Sequence, residues 1–193
     1  MFEDLKSDAK FICHNIMDQL QTFPALTHKQ SKMRNIGLAP VIEYPSGFFD
    51  RASTNMTRGV GVHLMISMDH YFSIKMGCGQ RTNTRSELLA LWPLLVISKD
   101  FGLPSLHVCG DSTTIINRVN GRAALTALNL DGWCQNIENM ESSFLLDFHH
   151  VYREYNVKAD GLSKEALSMA SGVLHYTEFT EGECVGNGSI QLH

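Results

Sequence analysis

Four carboxylates stand where their side chains could do chemistry. Asp50 lies inside the apolar run GFFDRAS (47–53). Glu87 lies in the first turn of a Leu- and Trp-rich helical pattern, after the polar stretch in CGQRTNTRSELLALW (78–92). Asp111 ends LHVCGD (106–111), and Asp160 opens the last helical pattern within YREYNVKADGLSKEAL (152–167). Three of them have bland explanations. Thr84, Arg85, Ser86 and Glu87 fit a capping box. Asp111 followed by Ser112 fits a strand end running into a helix N-cap. Asp160 is a first-turn acid of the kind a helix dipole favours, with Asn156 upstream as a candidate cap. Asp50 is harder to dismiss, because a carboxylate inside an apolar strand is costly without a partner or a cation.

Strand interiors, strand ends and helix starts can converge on one end of a mixed sheet. Four acids gathered there would repel one another and raise each other's pKa. Divalent cations remove that conflict, and a set of oxygen ligands alone selects Mg²⁺ or Mn²⁺ over zinc. Two such ions roughly 3.5–4 Å apart suit phosphodiester hydrolysis, one activating water and the other stabilising the leaving oxygen.

The elements that must position these acids follow from periodicity. Residues 47–53 predict a strand. Val60, Val62, Leu64 and Ile66 alternate, as do Phe72, Ile74 and Met76, so two more strands join through a turn near Asp69 and His70. A helix is expected over about 84–100, with Leu88, Leu91, Trp92 and Leu95 on one face and a kink at Pro93. A short buried strand (106–111) and a short helix (112–119) follow. Leu130, Trp133, Ile137 and Met140 mark another helix, 143–152 a strand, and Leu162, Ala166 and Met169 the last helix. An antiparallel start followed by βα units predicts an α/β fold with a mixed sheet. Residues 1–43 look like an extension or linker with one short helix and a basic stretch, HKQSKMR (28–34); 44–170 form the dense domain; and 171–193, Gly-rich and acidic, are expected to be loosely ordered.

In order, GFFDRAS, TNTRSELLALW, HVCGDSTTIINRVNG and YREYNVKADGLSKEAL resemble the successive motifs of type 1 ribonuclease H, in particular the ribonuclease H-like domain of plant retroelement reverse transcriptases. The resemblance covers about 44–170. It implies a ribonuclease H-like fold with a five-stranded mixed sheet flanked by helices. It also implies cleavage of the RNA strand of RNA–DNA hybrids, with two Mg²⁺ (or Mn²⁺) held by Asp50, Glu87, Asp111 and Asp160. Thr82, Asn83 and Arg85 match family positions that contact the hybrid backbone, and Asn156 matches an Asn in the loop before the last acid. The chain departs from the pattern in two places. Arg51 stands where the family has Gly, and the family's His in the loop before the last acid has no clear counterpart, since His149 and His150 fall within a predicted strand. The alternative is a catalytically impaired retroelement-derived protein of the same fold that binds nucleic acid or a protein partner.

Composition sets limits on these readings. Hydrophobic residues are 44% of the 193, enough for a core. No apolar run approaches the roughly 18 residues of a membrane span, and the N-terminus is a poor secretory signal. Cys13, Cys78, Cys109, Cys134 and Cys184 form no CxxC pair, so reduced thiols in an intracellular protein are expected. The net charge of −4 argues against a wholly basic nucleic-acid binder, but Glu178, Glu181 and Glu183 supply three of those charges in a tail without Lys or Arg.

Overall fold

The computed structural model describes residues 41, 43–79, 83–121 and 145–191, and only the backbone of 83–87. All of them lie within one compact unit, Gly37–His193. Strands β1 (Ser46–Ser53), β2 (Arg58–Met65) and β3 (His70–Gly79) form the antiparallel start, followed by helix α1 (Asn83–Asp100) and strand β4 (Ser105–Gly110). Helix α2 (Thr113–Val119), strand β5 (Leu145–His150), helix α3 (Val157–Glu165) and strands β6 (Val173–Thr180) and β7 (Glu183–Gln191) complete the order. The helix expected around Leu130–Met140 lies outside the described residues.

The sheet has seven strands rather than the expected five, in the order β5-β4-β1-β2-β3-β6-β7. β4 pairs in parallel with β1 and with β5, and every other pairing is antiparallel. The two additional strands come from the segment expected to be loosely ordered. Val173, Tyr176, Thr177, Phe179 and Thr180 are strand formers, and the connecting Glu181 (φ 54°) and Gly182 (φ 82°) both adopt positive φ. That conformation is what a two-residue hairpin with the sheet's own twist requires. β6 pairs along β3 from His70↔Thr180 to Met76↔Leu174, and Leu174 enters the core at 2% exposure.

Strand alternation divides the sheet into two faces. Val60, Val62, Leu64, Phe72, Ile74 and Met76 pack with Leu88, Leu91, Leu94 and Leu95 of α1. These buried side chains are the main core, and Pro93 sits inside the helix that covers it. On the other face Phe48, Cys109, Val151 and Ala159 form a smaller cluster under α3. A β-carbon on Gly61 would collide with the backbone of Ala159, Leu162 and Ser163, so the bare glycine is what lets α3 lie directly on β2.

Candidate active site

Phe49 belongs to the main core and Phe48 to the smaller one, so Asp50, next along the alternation, shares the face of α3. Two strand pairings bring other acids to it, and one hydrogen bond braces the arrangement. β1 and β4 run parallel through Phe49↔Gly110, so the residue after β4, Asp111, comes up beside Asp50. Asp50 pairs with Gly61, the position over which α3 is seated, and α3 carries Asp160 in its first turn. The Asn156 Nδ2 donates to the Phe49 carbonyl (3.0 Å), tying the loop before α3 to β1. Asp50, Asp111 and Asp160 consequently border one cleft of about 550 Å³, together with Arg51, Ser112, Arg153 and Lys164.

Asp50 is 9% exposed. Its Oδ1 accepts the Arg51 backbone N–H at 2.7 Å, while its Oδ2 is buried without a hydrogen-bond partner among the described residues. Burial, followed by the charge of Asp111, pushes its pKa up to about 7; the Arg51 N–H opposes this and Asp160 adds to it. Asp160 sits in a different environment. Burial would raise its pKa, but Lys164 and Arg153 hydrogen-bond to the carboxylate and hold it below its ordinary value. Arg153 Nη2 lies 3.2 Å from Asp160 Oδ1, and Lys164, one helical turn on, binds Asp160 Oδ2. One carboxylate is therefore poised to be neutral and another is anionic, within a single cleft. The orphaned Asp50 Oδ2 and the all-oxygen donors suit a hard divalent cation.

Glu87 is the fifth residue of α1, and its side chain lies outside the described residues, as do those of Asn83 and Arg85 and the whole of Thr82. Asn156 occupies the N-cap position of α3, but its side chain does not cap the helix. At 1% exposure, its side chain ties the loop before α3 to β1. Arg51 pairs with the core residue Val60, so it projects from the face opposite Asp50 and still borders the cleft. His149 and His150 lie on β5, as expected, and neither lines the cleft. Sequence reasoning missed Arg153 and Lys164. The i,i+4 spacing of Asp160 and Lys164 was a usable signal.

The reverse transcriptase-like family model matches residues 52–166, beginning two residues after Asp50. No curated protein matches the chain. Among solved structures, it is similar to the RNase H1 of the halophilic archaeon Halobacterium salinarum, at 27% identity and a TM-score of 0.58, over 65% of this chain and 98% of that one. The N-terminal RNase H domain of a Mycobacterium tuberculosis protein shares the fold at 22% identity and a TM-score of 0.57, over 63% and 91%. LC11-RNase H1, solved in complex with an RNA/DNA hybrid, does so at 22% identity and a TM-score of 0.57, over 63% and 95%. With well over half its length matched and the three cleft acids gathered at one end of the sheet, the chain belongs to the reverse transcriptase-like family and carries a ribonuclease H-like domain.

Proposed function

We propose that the chain is a divalent-metal-dependent endoribonuclease that cleaves the RNA strand of RNA–DNA hybrids. The observation that carries this reading is Asp50, a buried strand carboxylate with one oxygen unpartnered, facing Asp111 and Asp160 across a cleft. Likeness to RNase H1 structures supports the substrate class. Asp50, Glu87, Asp111 and Asp160 would hold two Mg²⁺ or Mn²⁺, and Thr82, Asn83 and Arg85 would contact the hybrid backbone. When bound, the ions would supply an activated water and neutralise charge on the leaving oxygen. The protein's own groups do the rest. Asp50 must give up its proton to accept a cation. Arg153 and Lys164, which pair with Asp160, would turn toward an incoming phosphate. Asn156 keeps β1 and the start of α3 in register.

The test uses end-labelled RNA annealed to DNA, with the full chain and with Asp50→Asn, each with and without Mg²⁺. Internal cleavage of the hybrid that needs Mg²⁺ and Asp50, with duplex DNA left intact, is expected. Equal cutting of duplex DNA would replace this reading with a general nuclease.

A second reading has a specific observation behind it. Arg51 stands beside Asp50, while Arg153 and Lys164 already neutralise Asp160. A catalytically impaired domain that retains hybrid binding would bind the labelled duplex and leave it uncut in the same assay.

A further inference from the structure

The two outermost strands on the parallel side of the sheet carry a second group of ligating side chains. His107 of β4 and Asp147 of β5 are direct cross-strand partners, and His149 lies two residues further along β5. All three therefore project from one face of the sheet. Their nitrogen and oxygen ligand atoms lie within 4.8 Å of one another. None of the three lines the acidic cleft. The arrangement is not that of a carboxylate cluster, because two of the three ligands are imidazoles.

The distances give each atom a role. Asp147 Oδ2 lies 2.9 Å from His149 Nε2 and 3.7 Å from His107 Nδ1. Two atoms bound at about 2.0–2.1 Å to one ion, at angles between 90° and tetrahedral, stand about 2.9–3.4 Å apart. The two distances to Asp147 Oδ2 are thus within a few tenths of an ångström of those a bound cation needs. The far nitrogen of His107, Nε2, lies 3.4 Å from Glu43 Oε2. A carboxylate behind a metal-binding imidazole holds the proton on the outer nitrogen and leaves the inner one free to ligate. The two rings are neighbours, 5.7 Å between centroids and 28° between planes. His107 is partly buried, whereas Asp147 and His149 are exposed, which leaves the outer coordination positions to water.

We propose that His107 Nδ1, Asp147 Oδ2 and His149 Nε2 form a site for a first-row transition cation of the Zn²⁺ type, oriented by Glu43 and distinct from the carboxylate cleft. Two imidazoles and one carboxylate select such ions over Mg²⁺, which prefers oxygen ligands. A bound ion clamps the edge strand β5 to β4. Those strands end immediately before Asp111 and before the loop carrying Arg153 and Asn156, so the clamp steadies the frame of the cleft without entering it.

The experiment is a Zn²⁺ titration of the full chain in excess Mg²⁺, in competition with a chromophoric chelator, repeated with Co²⁺ for its absorption spectrum. One equivalent should bind, giving a cobalt spectrum without a thiolate band. His149→Ala and His107→Ala should each lower Zn²⁺ affinity about 100-fold and Glu43→Ala about tenfold, while Asp50→Asn retains it. Wild type should melt at a higher temperature with Zn²⁺ than without, and His149→Ala should not. His149→Gln, with circular dichroism of every variant, guards against misfolding. Unchanged affinity in both histidine variants, loss in Asp50→Asn alone, or a cobalt–thiolate band would overturn the site. Absence of Zn²⁺ binding would leave the cluster a metal-free ion-pair group and overturn it equally.

Discussion

Burial, and then its acidic neighbours, make the ionised form of Asp50 costly, and that cost can be measured without substrate. Its folded pKa of about 7 lies above the roughly 3.9 of an unfolded chain. The native state therefore binds this proton more tightly. The stability this contributes is fully present below about pH 3.9 and is lost as pH rises through 7. At about 1.4 kcal/mol per unit the ceiling is about 4 kcal/mol, and residual solvent reduces it to about 2 kcal/mol. Asp50→Asn should therefore stabilise the metal-free protein by about 2 kcal/mol at pH 8 in urea denaturation, and by almost nothing at pH 4. An equal effect at both pH values would mean that Asp50 is ionised throughout. The neighbouring residue gives the second expectation at this scale. Arg51 supplies Asp50 with a backbone N–H that Gly would also supply, so its side chain can be removed without losing that bond. Arg51 borders the cleft, and Gly there would let a substrate backbone approach β1 more closely. Arg51→Gly should raise hybrid cleavage about tenfold, equivalent to about 1.4 kcal/mol of barrier. A fall in rate would recast Arg51 as a phosphate-binding residue.

At the scale of elements, the close seating of α3 on β2 is what brings Asp160 to Asp50. Gly61→Ala would drive a methyl group into the backbone of α3 at Ala159 and Ser163, with no flexible side chain to yield. Lifting the helix should cost about 2–4 kcal/mol in urea denaturation, within the range of other overpacking and backbone clashes. It should also lower cleavage by moving Asp160. Unchanged stability would show that α3 shifts freely. Much of this arrangement was legible beforehand, because it rests on local patterns. The alternation in β2 and β3, the apolar run of α1 and the acid at the end of β4 all appear in the sequence, but α1 is buried on nearly every side rather than on one face, with Leu89, Ala90 and Leu94 buried as well and Trp92 only partly so. The strands β6 and β7 were not recognised, because Gly182, Gly186, Gly188 and the three glutamates resemble a solvated tail in composition. Their order comes from pairing with β3 and from a Glu-Gly turn whose conformation composition does not reveal. The hydrogen bond of Asn156 to the Phe49 carbonyl has no local signal, since only the tertiary fold brings the two within reach.

The response of the whole molecule to acid depends on two buried groups of opposite sign on the same face of the sheet. His63 on β2 is 8% exposed, packs edge-on against Tyr71 with ring centroids 5.2 Å apart, and has an Nδ1 without a hydrogen-bond partner among the described residues. Burial, reinforced by Lys158, pushes its pKa down to about 4, and a backbone hydrogen bond at Phe72 offsets only part of this. An unfolded histidine titrates near 6.5. The unfolded chain therefore gains a proton that the native state refuses, and the contribution of His63, intact above about pH 6.5, is lost as pH falls toward 4. The scale is about 3 kcal/mol, from roughly 1.4 kcal/mol per unit over that interval. Asp50 moves the other way, adding stability as pH falls from 7 toward 3.9. In the metal-free wild type the two slopes oppose each other, so stability between pH 4 and 7 should be nearly flat. Removing either group should expose the other. Asp50→Asn should lose stability steadily on acidification, and His63→Phe should gain it, so their curves of unfolding free energy against pH should diverge in slope. Excess Mg²⁺ should tilt the wild-type curve toward that of Asp50→Asn, because a cation at the cleft holds Asp50 ionised. Parallel curves for the two variants would show that neither buried group sets the pH response and that it is distributed over the surface charges.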